Sequence, residues 1–337
     1  MDTDGFREQL KKRKLSDDKI EASIAIAERF EAYLNASRGG KSDAAVTWEF
    51  CNGLILEGQN TYDNLLAIAR YGHFIKNNAI YVAILELLDG AEAQPNFYKR
   101  VGEIFGESVR NEAFAGVGVA ALGVPPAEKP FNMFPVIDRL IGIVGYEATE
   151  KLLSACLRDL PEEYFQDERE KYIKSGDIDR YLMKKHRSFV RWLQTCQRKG
   201  ELFFAQEITD DVVQYVRDNP EIECGVRDGD VLYISKIPYN AKKFLAETDP
   251  MMKRYYACHC PWAREAIKTD SIQMNPVFCY CSGGFSKKPW EVIFGQTLKV
   301  EVLESALRGD FRCRFAVHLP AGFTLEKESL ENTNVAL

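Results

Sequence analysis

The chain has 337 residues, 46% of them hydrophobic and 28% charged, with a formal net charge of −6. That length and balance give an ordinary globular protein with a substantial core, arranged as two domains or one large one. No basic run is longer than the KKRK at 11–14, so the charge carries no footprint for nucleic acid. The N-terminal MDTDGFREQLKKRK is charged where a signal peptide needs an apolar centre, and the longest apolar stretch, 113–124, is too short to span a bilayer. The expectation is a cytoplasmic protein with no nucleic-acid partner and no membrane partner.

The first 200 residues read as helical. Ser16 followed by Asp17 and Asp18 makes a helix start with a carboxylate-rich first turn, and Ile20, Ile24, Ile26, Phe30 and Tyr33 recur at helical spacing. The same pattern marks TYDNLLAIARYGHFI, IYVAILELLDG, FYKRVGEIFGESV, VIDRLIGIVG, YEATEKLLSACLRDL and the long run 177–198. Breaks are expected at Gly39, Gly40, Gly90, Pro95, Pro125, Pro126 and Pro135. GVGVAALG, from Gly116, matches a Gly-x-Gly-x-x-Ala phosphate loop in letters, but no strand precedes it, so it reads as a bent apolar loop or a close helix contact. His73 and His186 stand alone, without ligand-type neighbours.

Beyond Phe203 the pattern turns to strands. VRDGDVLYISKIPYN alternates around a turn at Asp228–Asp230 and predicts a hairpin. MMKRYYACHCPWAREAIK has helical character, PVFCYC reads as a strand, and GGFSKKPWEVIFG reads as a glycine loop feeding a helix with Pro289 in its first turn. TLKVEVLES and RCRFAVHL are two further strands joined by a turn at Arg308, Gly309 and Asp310. The fold class is α+β: a helical domain at 1–200, a domain of helices on an antiparallel sheet at 203–322, and a polar tail at 323–337.

Nine cysteines in a chain without an export signal read as reduced thiols. Cys51, Cys156, Cys196 and Cys224 are scattered and read as small buried hydrophobes. The other five, Cys258, Cys260, Cys279, Cys281 and Cys313, crowd into the last quarter with His259 between the first two. On a strand Cys279 and Cys281 share a face, and Cys313 on a neighbouring strand faces them. Three or four thiolates of this set suit zinc, or else an iron–sulfur cluster, by their softness. A catalytic reading makes Cys258 or Cys260 a nucleophile beside His259, Arg264 and Glu265. In the plainer reading Trp262 packs while Arg264 and Glu265 lie on a solvated helix face, and no catalytic residue is assigned.

The order Cys260, Trp262, Glu265, then Cys279 and Tyr280, Gly283 to Phe285, Gly295, Gly309, Cys313 and Phe315 resembles the 4-vinyl reductase domain over about 203–320, a third of the chain. The resemblance implies a compact small-molecule-binding fold, used for sensing aromatic effectors and associated with vinyl-group reduction. In the sensor members three cysteines and a glutamate hold zinc near the pocket. The matching positions here are Cys279, Cys313, Ser305 and Val302, so two of the four inherited ligands are absent. Candidate ligand contacts are Trp262, Tyr280 and Phe285, with Lys287 and Lys288 meeting an anionic group at a helix start. The expected function is binding of a small aromatic or cyclic molecule, with the helical half as partner surface or homodimer platform. The alternative is an enzyme on a small cyclic substrate, either a vinyl-type reductase or a thiol- or metal-dependent hydrolase. Aminothiazoline-carboxylate hydrolases have a similar cysteine-rich end.

Overall fold

A computed structural model describes residues 1–37, 39–269 and 273–322. The polar tail expected at 323–337 lies outside the described residues.

Five helices open the chain: α1 (Thr3–Lys12), α2 (Asp17–Ser37), α3 (Asp43–Leu56), α4 (Tyr62–Phe74) and α5 (Asn78–Leu88). Their starts are written in the sequence, because Asp2, Ser42, Thr61 and Asn77 each accept a hydrogen bond from a backbone N–H of the first turn that they precede. Their apolar faces enclose a core of their own, around Phe6, Phe30, Phe50, Leu65, Ile68 and Tyr71. Gly72 sets the approach of α4 to α5: a Cβ there would fall 2.9 Å from Ile80 Cγ2 and 3.0 Å from the Tyr81 nitrogen.

The chain continues through α6 (Ala93–Phe105), α7 (Glu107–Ala113), α8 (Lys129–Val144), α9 (Tyr146–Ser154), α10 (Gln166–Ser175), α11 (Ile178–Lys199) and α12 (Asp210–Asp218). Two expected breaks are helical instead. Pro95 sits in the first turn of α6, where its missing N–H has no intrahelical partner to lose, and α8 runs through Pro135. GVGVAALG is an irregular loop between α7 and α8 with left-handed glycines at both ends, Gly116 and Gly123.

A four-stranded antiparallel sheet completes the α+β architecture, in the order β1 (Val226–Asp228), β2 (Val231–Ser235), β4 (Arg314–His318), β3 (Val300–Glu304). The β1–β2 hairpin turns at Gly229, with φ of 56°. Ile234 and Val302 both register with Phe315, one from each side of β4. Between β2 and β3 lie α13 (Ala241–Ala246), α14 (Pro250–Ala257), a 3-10 turn at Arg264–Lys268, and α15 (Cys279–Phe294).

PVFCYC is not a strand. Asn275 caps a 3-10 turn at Pro276–Phe278, and the chain passes straight into α15, which contains Gly283, Gly284 and Pro289. The glycines are part of the helix because it is pinched there. A Cβ on Gly283 would meet Val300 and Phe315 of the sheet at 3.3–3.4 Å, and one on Gly284 would meet Ser154 O at 2.6 Å and Cys156 N at 2.7 Å. Helix α15 therefore lies between the sheet and the end of α9. One hydrophobic core unites these parts, joining Phe97, Leu140, Leu153 and Tyr181 with Leu232, Trp262, Phe278, Trp290 and Phe315. A smaller one lies between α11 and α12, around Leu193, Phe203 and Val216.

Candidate functional site

Three separate chain segments bring the five clustered cysteines together. Cys258 ends α14, its N–H bonded to Arg254 O, and Cys260 lies in the following turn, where its carbonyl accepts from Arg264 N at 2.8 Å. Cys279 and Cys281 occupy the first turn of α15, and Cys313 precedes β4 with its carbonyl accepting from Lys236 N at 2.9 Å.

Because α15 is helical, Cys279 and Cys281 point to different sides, which corrects the shared face expected of a strand. Cys279 meets the hydroxyl of Ser305 and lies near Cys313 and Cys258. Cys281 faces the backbone of Leu157 and the thiol of Cys156. Cys260 lies between the two groups, sensing Cys258, Cys281 and Cys279. Burial pushes the thiols of Cys258 and Cys281 up to about 12, and it raises those of Cys260, Cys279 and Cys313 as well, with neighbouring thiols adding to the effect at Cys258, Cys260 and Cys279. Every member of the cluster is a neutral thiol at pH 7. His259 is deep in the protein, and burial holds its imidazole below the ordinary value; its Nε2 meets Ile237 O and its ring stands edge-on to Tyr239.

Cys260, Cys279 and Cys281 are only half-buried as residues, yet each is surrounded by protein. In donor type the cluster suits a soft metal. In placement it does not: among the described residues no three His, Cys, Asp or Glu side chains are grouped to hold one ion.

The thiol cluster has a charged neighbour that sequence reasoning missed. A cleft of about 360 Å³ is lined by Arg100, Ala155, Cys156, Arg158, Asp159, Leu160, Pro161 and Lys288. Cys156, which the sequence marked only as a scattered thiol, is buried and holds a left-handed φ of 65°. It lines the cleft and also faces Cys281, so it stands between the cleft and the thiol cluster. No spacing links 156 to 281, and only the fold brings them together. Arg158 bonds Asp89 at 3.0 Å and Glu92 at 2.9 Å, and its guanidinium and the Lys236 ammonium lie 5.8 and 4.3 Å from the centroid of the Phe285 ring.

The remaining predicted contacts are placed differently. Lys288 lines the cleft, 3.5 Å from Glu162. Lys287 is buried and committed to Glu291 Oε1 at 2.6 Å and Leu298 O at 2.8 Å. Trp262 is buried, and its Nε1 donates to Gly90 O at 2.7 Å. Tyr280 is buried close to Glu150.

Arg264, expected on a solvated face, is only 2% exposed. Its guanidinium stacks 3.7 Å from the Tyr239 ring centroid, with Tyr255 at 5.6 Å, and Nη2 lies 3.3 Å from Glu86. The stacking recovers in part what burial of the charge costs. Lys129, also buried, donates to the carbonyls of Glu86, Leu87 and Asp89 at the end of α5, and desolvation brings its ammonium down to about 8. No family model, curated protein or solved structure matches this chain.

Proposed function

We propose that the protein binds a small aromatic or cyclic molecule, which enters the cleft at Arg100, Arg158 and Lys288 and reaches a recess among the clustered thiols past Cys156. The observation that carries this reading is the double position of Cys156, on the cleft wall and against Cys281. The cleft lies at the small end of ligand-site volumes, with Leu160 and Pro161 as apolar wall, and the Phe285 ring, itself off the wall, packs against Arg158, the cation that a planar anion would meet. A ligand-binding role is also what the resemblance of 203–320 to the 4-vinyl reductase domain implies. The thiol-nucleophile alternative is disfavoured, since burial keeps the thiols protonated.

Anilinonaphthalene sulfonate, an aromatic anion, tests the reading by fluorescence titration. One saturable site is expected, weakened about tenfold by Phe285→Ala, equivalent to about 1.4 kcal/mol, and weakened also by Lys288→Ala. An absence of saturable binding, or wild-type affinity in both variants, sinks it. Zinc is the second reading: Cys258, Cys279 and Cys313 lie near one another with Ser305 beside Cys279, but as placed they are not grouped to hold one ion, so a metal would have to draw them together. Elemental analysis of protein purified without oxygen decides it, since metal-free protein with all thiols titratable rules zinc out.

A further inference from the structure

Helix α11 carries a feature that the ligand site does not use. Arg180, Lys184, Arg187, Arg191 and Arg198 are all exposed, and their spacings of 4, 3, 4 and 7 put them on one stripe of the helix. At the rise of an α-helix that stripe is about 27 Å long. Among the described residues none of the five is in an ion pair. Arg191 and Arg198 turn back to their own helix, donating to Arg187 O and Gln194 O at 3.3 Å each. The single acid of α11, Asp179, is bound to Arg227. The inner edge of the same helix behaves differently, with Lys185 paired to Glu168 at 2.9 Å. Arg198 shares a cleft with Asp210 and Asp211 without pairing to them, and in a chain of net charge −6 a cationic stripe of this length is a concentration that the overall balance hides.

Exposed apolar side chains flank the stripe. Trp192 is 54% exposed and Met183 47%, while Phe204, next in chain to Phe203, is 71% exposed. Trp192 and Phe204 both pack edge-on against Phe203, at 5.0 and 4.7 Å between ring centroids, which makes a fixed aromatic knob beside the cations.

We propose that the exposed face of α11 is a docking surface for an anionic lipid bilayer. Lipid phosphates are complementary to the five cations, and each Lys or Arg near such a surface adds to the attraction. Trp and Phe side chains settle at the depth of the headgroups, and Arg and Lys stems reach past them to the phosphates. A nucleic acid fits less well, because it accounts for the cations but not for the exposed Met183, which has no flat face on which a base stacks. The contact is peripheral. No helix among the described residues is long and apolar enough to cross a membrane, and the expectation of no membrane partner rested on the lack of a spanning segment.

The test is co-sedimentation of the full chain with vesicles of phosphatidylcholine alone and of equimolar phosphatidylcholine and phosphatidylglycerol. Binding is expected to the anionic vesicles only and is reversed by salt. Arg187→Glu with Arg191→Glu lowers it by about tenfold or more. Both positions are exposed, and circular dichroism of the double variant checks that it is folded. Brominated lipid quenches the tryptophan emission of the wild type and not of Trp192→Phe. Failure to sediment, equal sedimentation of the charge-reversed variant, or binding to an RNA or DNA oligonucleotide in place of vesicles overturns the proposal.

Discussion

Cys156, at the end of α9, stands against Cys281 in the first turn of α15, and Gly284 in the next turn of that helix leaves no room for a side chain between the two segments. The cleft and the thiol cluster are neighbours because of this contact.

Gly284 and Gly283 are adjacent and should respond differently to alanine. At Gly284 the new Cβ would meet backbone atoms of Ser154 and Cys156 at 2.6–3.0 Å, and backbone cannot rotate away. Gly284→Ala should cost about 2 kcal/mol or more in urea denaturation through overpacking. At Gly283 the contacts are side-chain atoms at 3.3–3.4 Å, and the higher helix propensity of alanine, worth about 1 kcal/mol, offsets them. Gly283→Ala should be close to neutral, and equal losses at both positions would contradict the pinched-helix account.

This pair also shows where sequence reading succeeds and fails. The helical half is legible because its apolar residues recur at 3.6 and its first turns are capped by Asp2, Ser42, Thr61 and Asn77. The β1–β2 hairpin is legible from its turn, as are β3 and β4 around Gly309. PVFCYC misleads because a short apolar run has no periodicity to separate strand from buried helix, and the glycines after it signal a loop when their cause is tertiary. Arg264 and Cys156 escape for a related reason. A buried guanidinium needs Tyr239, Tyr255 and Glu86 around it, and those partners come from distant segments.

Stability should fall as the pH rises above about 9. An unfolded thiol ionises near 8.5, whereas burial pushes Cys51, Cys224, Cys258 and Cys281 up to about 12 in the folded chain. Above the unfolded value the unfolded state gives up these protons while the folded state keeps them, so the stability they contribute below it is lost progressively towards pH 12. Lys129 has the opposite sign. Its ammonium, brought down to about 8 by desolvation, makes folding more favourable with rising pH between 8 and its ordinary value of about 10.4. Four thiols outweigh one lysine, so the urea midpoint should drop by an amount equivalent to several kcal/mol between pH 8 and 11. A flat or rising midpoint would show that the thiols are not buried in this way.

Trp262 should prove to be a packing residue rather than a ligand contact. Its Nε1 is committed to Gly90 O, at a glycine with φ of 62°, and its ring lies beneath Lys129 at 5.8 Å. Trp262→Phe removes one buried hydrogen bond and should cost about 1–3 kcal/mol. The affinity for anilinonaphthalene sulfonate, measured on the folded variant, should stay at the wild-type value.

Position 281 separates a wall of the recess from a mere core position. Cys281→Ala enlarges the space behind Cys156, and Cys281→Met fills it with an unbranched side chain that adapts to irregular surroundings. If the ligand passes Cys156 to lie against Cys281, methionine should weaken probe binding about tenfold, or about 1.4 kcal/mol, while alanine leaves it unchanged or tighter. The stability effects follow a different pattern, since both variants lose stability: alanine opens a cavity and methionine risks overpacking, each at about 1–3 kcal/mol. Loss of stability in both variants with probe binding reduced only by methionine is the pattern expected of a binding wall. Equal probe affinity in the two variants would place the ligand in the outer cleft alone, against Arg100, Arg158 and Lys288.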